Sequence, residues 1–478
     1  MNNPSARMRR LGAGAIAALA LALLPTNASA VTTISCSGTP VVLCIGHTTE
    51  TSGLHLDANF RIEVPANWNK TLVLYSHGYD SFTTPNPATD APDDVTGAWL
   101  LSQGYALAGS AYARAGWSAE QAFQDQIAVL DLFTTTFRHP DRTIAWGHSL
   151  GGMITAGLVQ LFPDRFQGAI PMCGVLEGSV AVWNEALDGL FSFATLQAPG
   201  AFNYYNLSPA TAYGEYLKAK TAFATANSTA AGRAHIALAA ALNNIPGWYD
   251  PTKPEPAAND WAAREANQYA WISGINLLFG FLGRAELESR AGGLYSWNTG
   301  VNYKTQLAHS TGKAEVQALY AAAGLDLEED LGTLNETTRI TANPQAVANV
   351  AKVITFSGEL EMPVLTMHTT GDGLVEPTAE QAYKSVVRSA DNGQLLRQVF
   401  VHRAGHCTFT PAETIAAFTT LQHRLNTGQW GNSSAAAMNS RAAGLALGLA
   451  TFIDFAPTRF LRPFTTDDAG DNQGGPNN

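Results

Sequence analysis

The segment TIAWGHSLGG places Ser149 between two glycines, Gly147 and Gly151, each two residues away. A β-type apolar run precedes the serine and a helix-like run follows, and in that setting G-x-S-x-G marks a turn too tight for side chains at the flanking positions. Such a turn exposes the hydroxyl at the C-terminal edge of a sheet and at a helix N-terminus, where negative charge is favoured. The chemistry is nucleophilic attack on a carbonyl carbon. A hydroxyl attacks well only when a base removes its proton, and the base in turn needs an acid to orient it. Asp372, between Gly371 and Gly373 at the end of the β-type run in VLTMHTTGDGLVEP, is the expected acid, with Glu376 as the fallback. For the base, VHRAGHCTFT offers two histidines. His402 lies inside the strand pattern QVFVHR and is expected to be structural, whereas His406 follows Gly405 on a loop and can reach back to Ser149. A tetrahedral intermediate also needs two amide donors for its oxyanion. Those expected are the amides of Leu150, directly after the nucleophile, and of Tyr79, in the turn YSHGYD that closes an early strand.

Elements that could hold these residues are legible around them. FRIEVP, KTLVLYSHG, YALAGSAY, RTIAWGHS and FQGAIPMC read as strands, and helix-like stretches separate the later ones, among them SAEQAFQDQIAVLDLFTTTF with its Ser-x-x-Gln start. Strand and helix in turn imply an α/β fold with a mostly parallel sheet covered on both faces. The rhythm breaks near 175, gives way to Ala-rich helical segments, and resumes at MPVLTMHTTGD. The expected organisation is therefore a first part of the α/β core over 31–174, a helical insertion over 175–350, the second part over 351–462, and a disordered tail over 463–478 rich in Asp, Asn, Gly and Pro.

Residues 1–30 carry Arg7, Arg9 and Arg10, then an apolar run, then Ala28-Ser29-Ala30, the layout of a secretory signal with its cleavage site. The run is shorter than the roughly 20 residues of a membrane span. Export as a secreted, extracellular protein without a membrane anchor is the expectation, by the ordinary route rather than a twin-arginine one. Of 478 residues, 46% are hydrophobic, enough for a sizeable core, and the net charge of −11 with no basic run speaks against a nucleic-acid partner. Four cysteines in an oxidising compartment point to two disulfides, with Cys36 and Cys44 close in sequence, and four cysteines allow three pairings. No H-E-x-x-H or C-x-x-C pattern occurs, so neither metal nor cofactor is expected.

The HGY turn, GHSLGG, TTGDGLVEP and AGHC, in that order over roughly 55–175 and 360–428, resemble the α/β-hydrolase superfamily. The resemblance implies a mostly parallel eight-stranded sheet with helices on both faces and a helical cap domain over the active site. It also implies the chain order nucleophile, acid, base. The HSLGG form is more similar to lipases and esterases than to peptidases, which makes a carboxylic ester, small or polymeric, the expected substrate and an aminopeptidase-like activity the alternative. Tannase and feruloyl-esterase relatives join the residue before the serine to the residue after the histidine by a disulfide. Cys407 has the second of those positions, but His148 stands at the first, so Cys173 is the expected partner, with two free thiols the alternative. From the segment GVLEGSVAVWNEALD, Glu177 and Trp183 are expected near the cleft, and the insertion's many aromatic residues would suit an apolar acyl group.

Overall fold

The computed structural model describes residues 33–48, 58–80 and 88–471. The expected signal segment 1–30 lies outside the described residues. Ten strands form a single sheet: β1 (Thr33–Ser37), β2 (Val41–Thr48), β3 (Ala58–Pro65), β4 (Thr71–Ser76), β5 (Ala106–Ser110), β6 (Arg142–His148), β7 (Gly168–Met172), β8 (Val364–Gly371), β9 (Leu396–Ala404) and β10 (Phe452–Ile453). Their spatial order is β1-β2-β3-β5-β4-β6-β7-β8-β9-β10. From β5 to β9 every neighbour pair is parallel, whereas β1, β2, β3 and β10 pair antiparallel. The sheet is thus ten-stranded and mixed rather than eight-stranded, because three antiparallel strands, β1 to β3, extend one edge of the six-stranded parallel centre and the short β10 extends the other.

Alternation along β4 shows why both faces need cover. Leu72 and Leu74 point into one core with Phe123, Phe133, Met153 and Ile154, while Val73 and Tyr75 point into another with Trp146, Phe418 and Leu421. The first layer is supplied by helices Ala119–Thr136 and Leu150–Leu161, the second chiefly by Pro411–Thr427. Because β4, β5 and β7 are buried throughout, they read as continuous apolar runs.

Between β7 and β8 the chain is helical, from Ser179–Leu196 to Pro344–Ala351, and carries apolar clusters of its own. One long helix there starts at Trp261 and continues to Ala291 through two wide turns, where Leu277 and Arg284 each donate to a carbonyl five residues back. Such wide turns swell a helix locally and re-aim its side chains.

Residues 463–471, expected to be disordered, are instead ordered. Arg462 bonds Asp188 and the Trp297 carbonyl, the ring of Phe464 meets that of Trp297 edge-on at 6.1 Å, and Thr466–Asp471 forms a short helix. The polar composition concealed an apolar anchor, Phe464, directly after the ionic one at Arg462. Residues 472–478 lie outside the described residues. Both disulfides are present. Cys36 and Cys44 face each other across the β1–β2 pair, and Cys173 joins Cys407 with their Cα atoms 5.4 Å apart. Among the described residues, no helix is long and apolar enough to cross a membrane.

Candidate active site

Ser149 stands at the tip of β6, in the turn that starts helix Leu150–Leu161, with φ 59° and ψ −125°. That conformation is strained for a residue with a side chain and is tolerated here because the surroundings impose it. The flanking glycines are sterically required. A Cβ on Gly151 would lie 2.0 Å from the Ser76 carbonyl oxygen, and one on Gly147 would lie 2.4 Å from the Gly151 carbonyl oxygen. Because β4 runs beside β6, its C-terminal turn comes with it, and a Cβ on Gly78 would lie 3.1 Å from Ser149 Cβ. The backbone of His77–Tyr79 is therefore seated against the serine. Tyr112 braces this turn, its hydroxyl donating to the His77 carbonyl at 3.0 Å and its ring stacking on His77 at 3.9 Å.

From the loop after β9, His406 brings Nε2 to 2.7 Å from Ser149 Oγ, and its Nδ1 is 2.7 Å from Asp372 Oδ2. Asp372 is fully buried just past the end of β8, and its Oδ1 accepts from the amides of Leu374 and Val375 at 3.0 and 3.1 Å. Burial would raise its pKa, but the neighbouring His406 and His368 outweigh this and hold it at about 2, so the carboxylate stays ionised. The structure thus brings together Ser149, His406 and Asp372, residues 257 and 34 positions apart along the chain. His402 is elsewhere, half-exposed, 3.6 Å from Glu255 and beside the Trp248 ring. Cys407 leaves His406 directly, so its disulfide to Cys173 fastens the histidine loop to the end of β7.

Ser149 and Leu150 open into an apolar cavity of about 100 Å³. Rings of Tyr79, Trp117, Trp183 and Phe279 wall it, Tyr79 meeting Phe279 at 4.9 Å and Trp117 meeting Trp183 at 5.6 Å, both edge-on. Trp183 is held from behind by the Arg284 guanidinium, 5.3 Å from its ring centroid. The polar exceptions in the wall are Asn243, Asn276 and Glu376.

Glu177, expected at the cleft, is not part of that wall. It is buried beside Leu176 and Phe356, neither carboxylate oxygen has a hydrogen-bond partner, and burial pushes its pKa up to about 8. Its place in sequence, just beyond β7, suited the cleft, but it is buried within the charge field of His368, Glu380 and Asp372 instead of lining the cavity. Glu376 makes no hydrogen bond to His406. Asn243 reaches it at 3.4 Å, and burial together with Glu177 and Asp372 lifts it well above the usual carboxylate range. Trp117, Phe279, Asn243 and Asn276 are wall residues that sequence reasoning missed. Only packing of the insertion on the core brings them to Ser149, and no local pattern announces it.

Residues 94–235 match the prolyl oligopeptidase family. Over 433 residues the chain is 29% identical to an o-phthalyl amidase of Xanthobacter agilis, covering 83% of this chain and 92% of that protein. Among solved structures, feruloyl esterase B from Aspergillus oryzae is similar with a TM-score of 0.38 and 13% identity, over 81% of each chain. The cell-wall-degrading esterase LipA from Xanthomonas oryzae gives 0.36 and 13%, over 82% of this chain and 89% of that chain in one structure with a TM-score of 0.35, and 91% in the other. With a serine on a strained strand–helix turn, an acid after a later strand and a histidine after the next, in that order on a largely parallel sheet, the chain is a serine hydrolase of the α/β-hydrolase superfamily.

Proposed function

We propose that this chain is an exported hydrolase of carboxylic esters with compact apolar acyl groups, acting through an acyl-enzyme on Ser149. The observation that carries the reading is the aromatic-walled cavity opening on the Ser149 hydroxyl. Its aromatic walls suit an apolar acyl group, and its volume of about 100 Å³, below the ~150 Å³ of a cavity that takes up benzene, favours a short one over a long fatty chain. Ser149 Oγ attacks the carbonyl while His406 Nε2 takes its proton. Asp372 keeps Nδ1–H oriented and balances the imidazolium. The amides of Leu150 and Tyr79 receive the oxyanion, each such donor contributing about 10²–10³ in rate. His406 then protonates the leaving alcohol, and a water activated by the same histidine releases the acid. The two disulfides support an oxidising destination.

Amide cleavage is the second reading, favoured by the likeness to an o-phthalyl amidase. The same residues serve both reactions, the difference lying in protonation of a poorer leaving group. The test is a panel of nitrophenyl esters from acetate to palmitate, with benzoate, beside benzoyl, 2-carboxybenzoyl and aminoacyl anilides. Turnover confined to esters with short or aromatic acyl groups is the expected result. Anilide turnover at comparable kcat/KM overturns the ester reading in favour of an amidase or peptidase, and a palmitate optimum overturns the compact acyl pocket.

A further inference from the structure

Behind the triad lies a second histidine that the reaction scheme above leaves without a role. His368 is on β8, four residues before Asp372, and is fully buried. Its Nε2 faces two acceptors, the Val375 carbonyl at 2.9 Å and Asp372 Oδ2 at 3.5 Å. Its Nδ1 faces Glu380 Oε1 at 3.3 Å. Glu380, on helix Thr378–Ser389, is equally buried, and its other oxygen accepts from the Thr366 hydroxyl and from Gln398 Nε2. A carbonyl has no proton to give, so Nε2 must carry one, and a carboxylate already receiving two donors leaves Nδ1 to act as donor as well.

We propose that His368 and Glu380 form a second carboxylate–imidazole pair that positions Asp372, extending the triad to a buried chain Glu380, His368, Asp372, His406, Ser149. The inference rests on the triad reading. Each end of the Asp372 carboxylate is then committed: Oδ1 to the amides of Leu374 and Val375, and Oδ2 between two imidazole rings. Burial alone would pull the His368 proton off, but Asp372 and Glu380 outweigh it and lift its pKa to about 10. The other charged groups bearing on this ring are Glu177 and Glu376, both buried and both pushed toward the neutral form by burial. An imidazolium at His368 takes up part of the Asp372 charge. Removing that imidazolium would leave the full Asp372 charge facing His406 Nδ1, 2.7 Å away.

The test is the pH profile of kcat/KM for an ester that the wild type turns over, measured on His368→Gln, Glu380→Gln and the double variant, with thermal denaturation beside it. The expected result is a kcat lowered about tenfold with KM within about twofold, and an acid limb displaced by about one pH unit toward higher pH. Both single variants should shift it alike, and the double variant no further, because they break one unit. Folded variants whose acid limb coincides with that of the wild type overturn the proposal. Should the variants fail to fold, histidine-selective ¹⁵N NMR of the wild type decides. A buried ring protonated on both nitrogens from about pH 6 to about pH 9 is expected, and a ring already neutral near pH 7 overturns it. Labelling of Ser149 by a fluorophosphonate tests the triad separately, since its absence would strike that reading and leave the NMR result standing.

Discussion

Ser149 is held in a backbone conformation that only its surroundings justify, and its hydroxyl pairs with His406 Nε2 at 2.7 Å. Ser149→Ala removes the nucleophile without touching the turn. Loss of ester turnover by about 10⁵-fold or more is expected, with loss of fluorophosphonate labelling and a melting temperature near that of the wild type. On the ester reading, Trp183 is the wall residue expected to limit acyl size. Trp183 is 4% exposed, packed against Trp117 and Tyr295 and capped by Arg284. Trp183→Ala should lower stability by about 3–5 kcal/mol and move the acyl-chain optimum toward longer esters, read from kcat/KM across the nitrophenyl series. An unchanged chain-length profile would show that this wall does not set acyl size.

Among the elements, the parallel centre does the positioning. β4, β6, β8 and β9 deliver Gly78, Ser149, Asp372 and His406 to one edge of the sheet, because parallel strands present all their C-terminal ends on the same side. The His406 loop is tied down by the disulfide of Cys407 to Cys173, across a separation of 234 residues. In the chain-entropy picture a closure that long contributes roughly 5–6 kcal/mol. Replacing both cysteines by serine should lower the melting temperature and reduce kcat more than it raises KM, since a histidine loop freed from β7 spends less time within reach of the serine. Activity insensitive to this change would show that the β9 pairing alone holds the histidine.

At the scale of the whole molecule, burial of carboxyl groups sets the response to pH. Glu177 is raised to about 8, and Glu265 and Glu315 to about 7, in each case first by burial. A carboxyl whose pKa is higher folded than unfolded contributes stability that is complete below its unfolded value and is lost as pH rises through its folded value. Asp372, held at about 2, works oppositely, and its contribution is lost as pH falls from about 4 toward 2. The melting temperature should therefore peak near about pH 5 and fall toward about pH 8, and Glu177→Gln should flatten that fall. A melting temperature that is level or rising over this range would contradict the assignment of these carboxyls as neutral in the fold.

The same three scales separate what was legible in the chain from what was not. Ser149 with its glycines, Asp372 after a β-type run, and His406 in preference to His402 could be read directly, because strand ends, tight turns and loops have local signatures of period, glycine and polarity. The α/β alternation could be read for the same reason. The edge strands, the order of the tail from 463 to 471, and the placement of Glu177 away from the cleft could not. Each depends on which surfaces of distant segments find one another, and side-chain burial is settled by packing rather than by neighbours in sequence. Sequence by itself singled out Ser149, Asp372 and His406, which the fold brings together, and the kind of sheet that aligns them. Only the tertiary structure decided which aromatic residues wall the cavity, and that a second buried histidine stands behind the acid, because both follow from contacts between elements that local pattern does not encode.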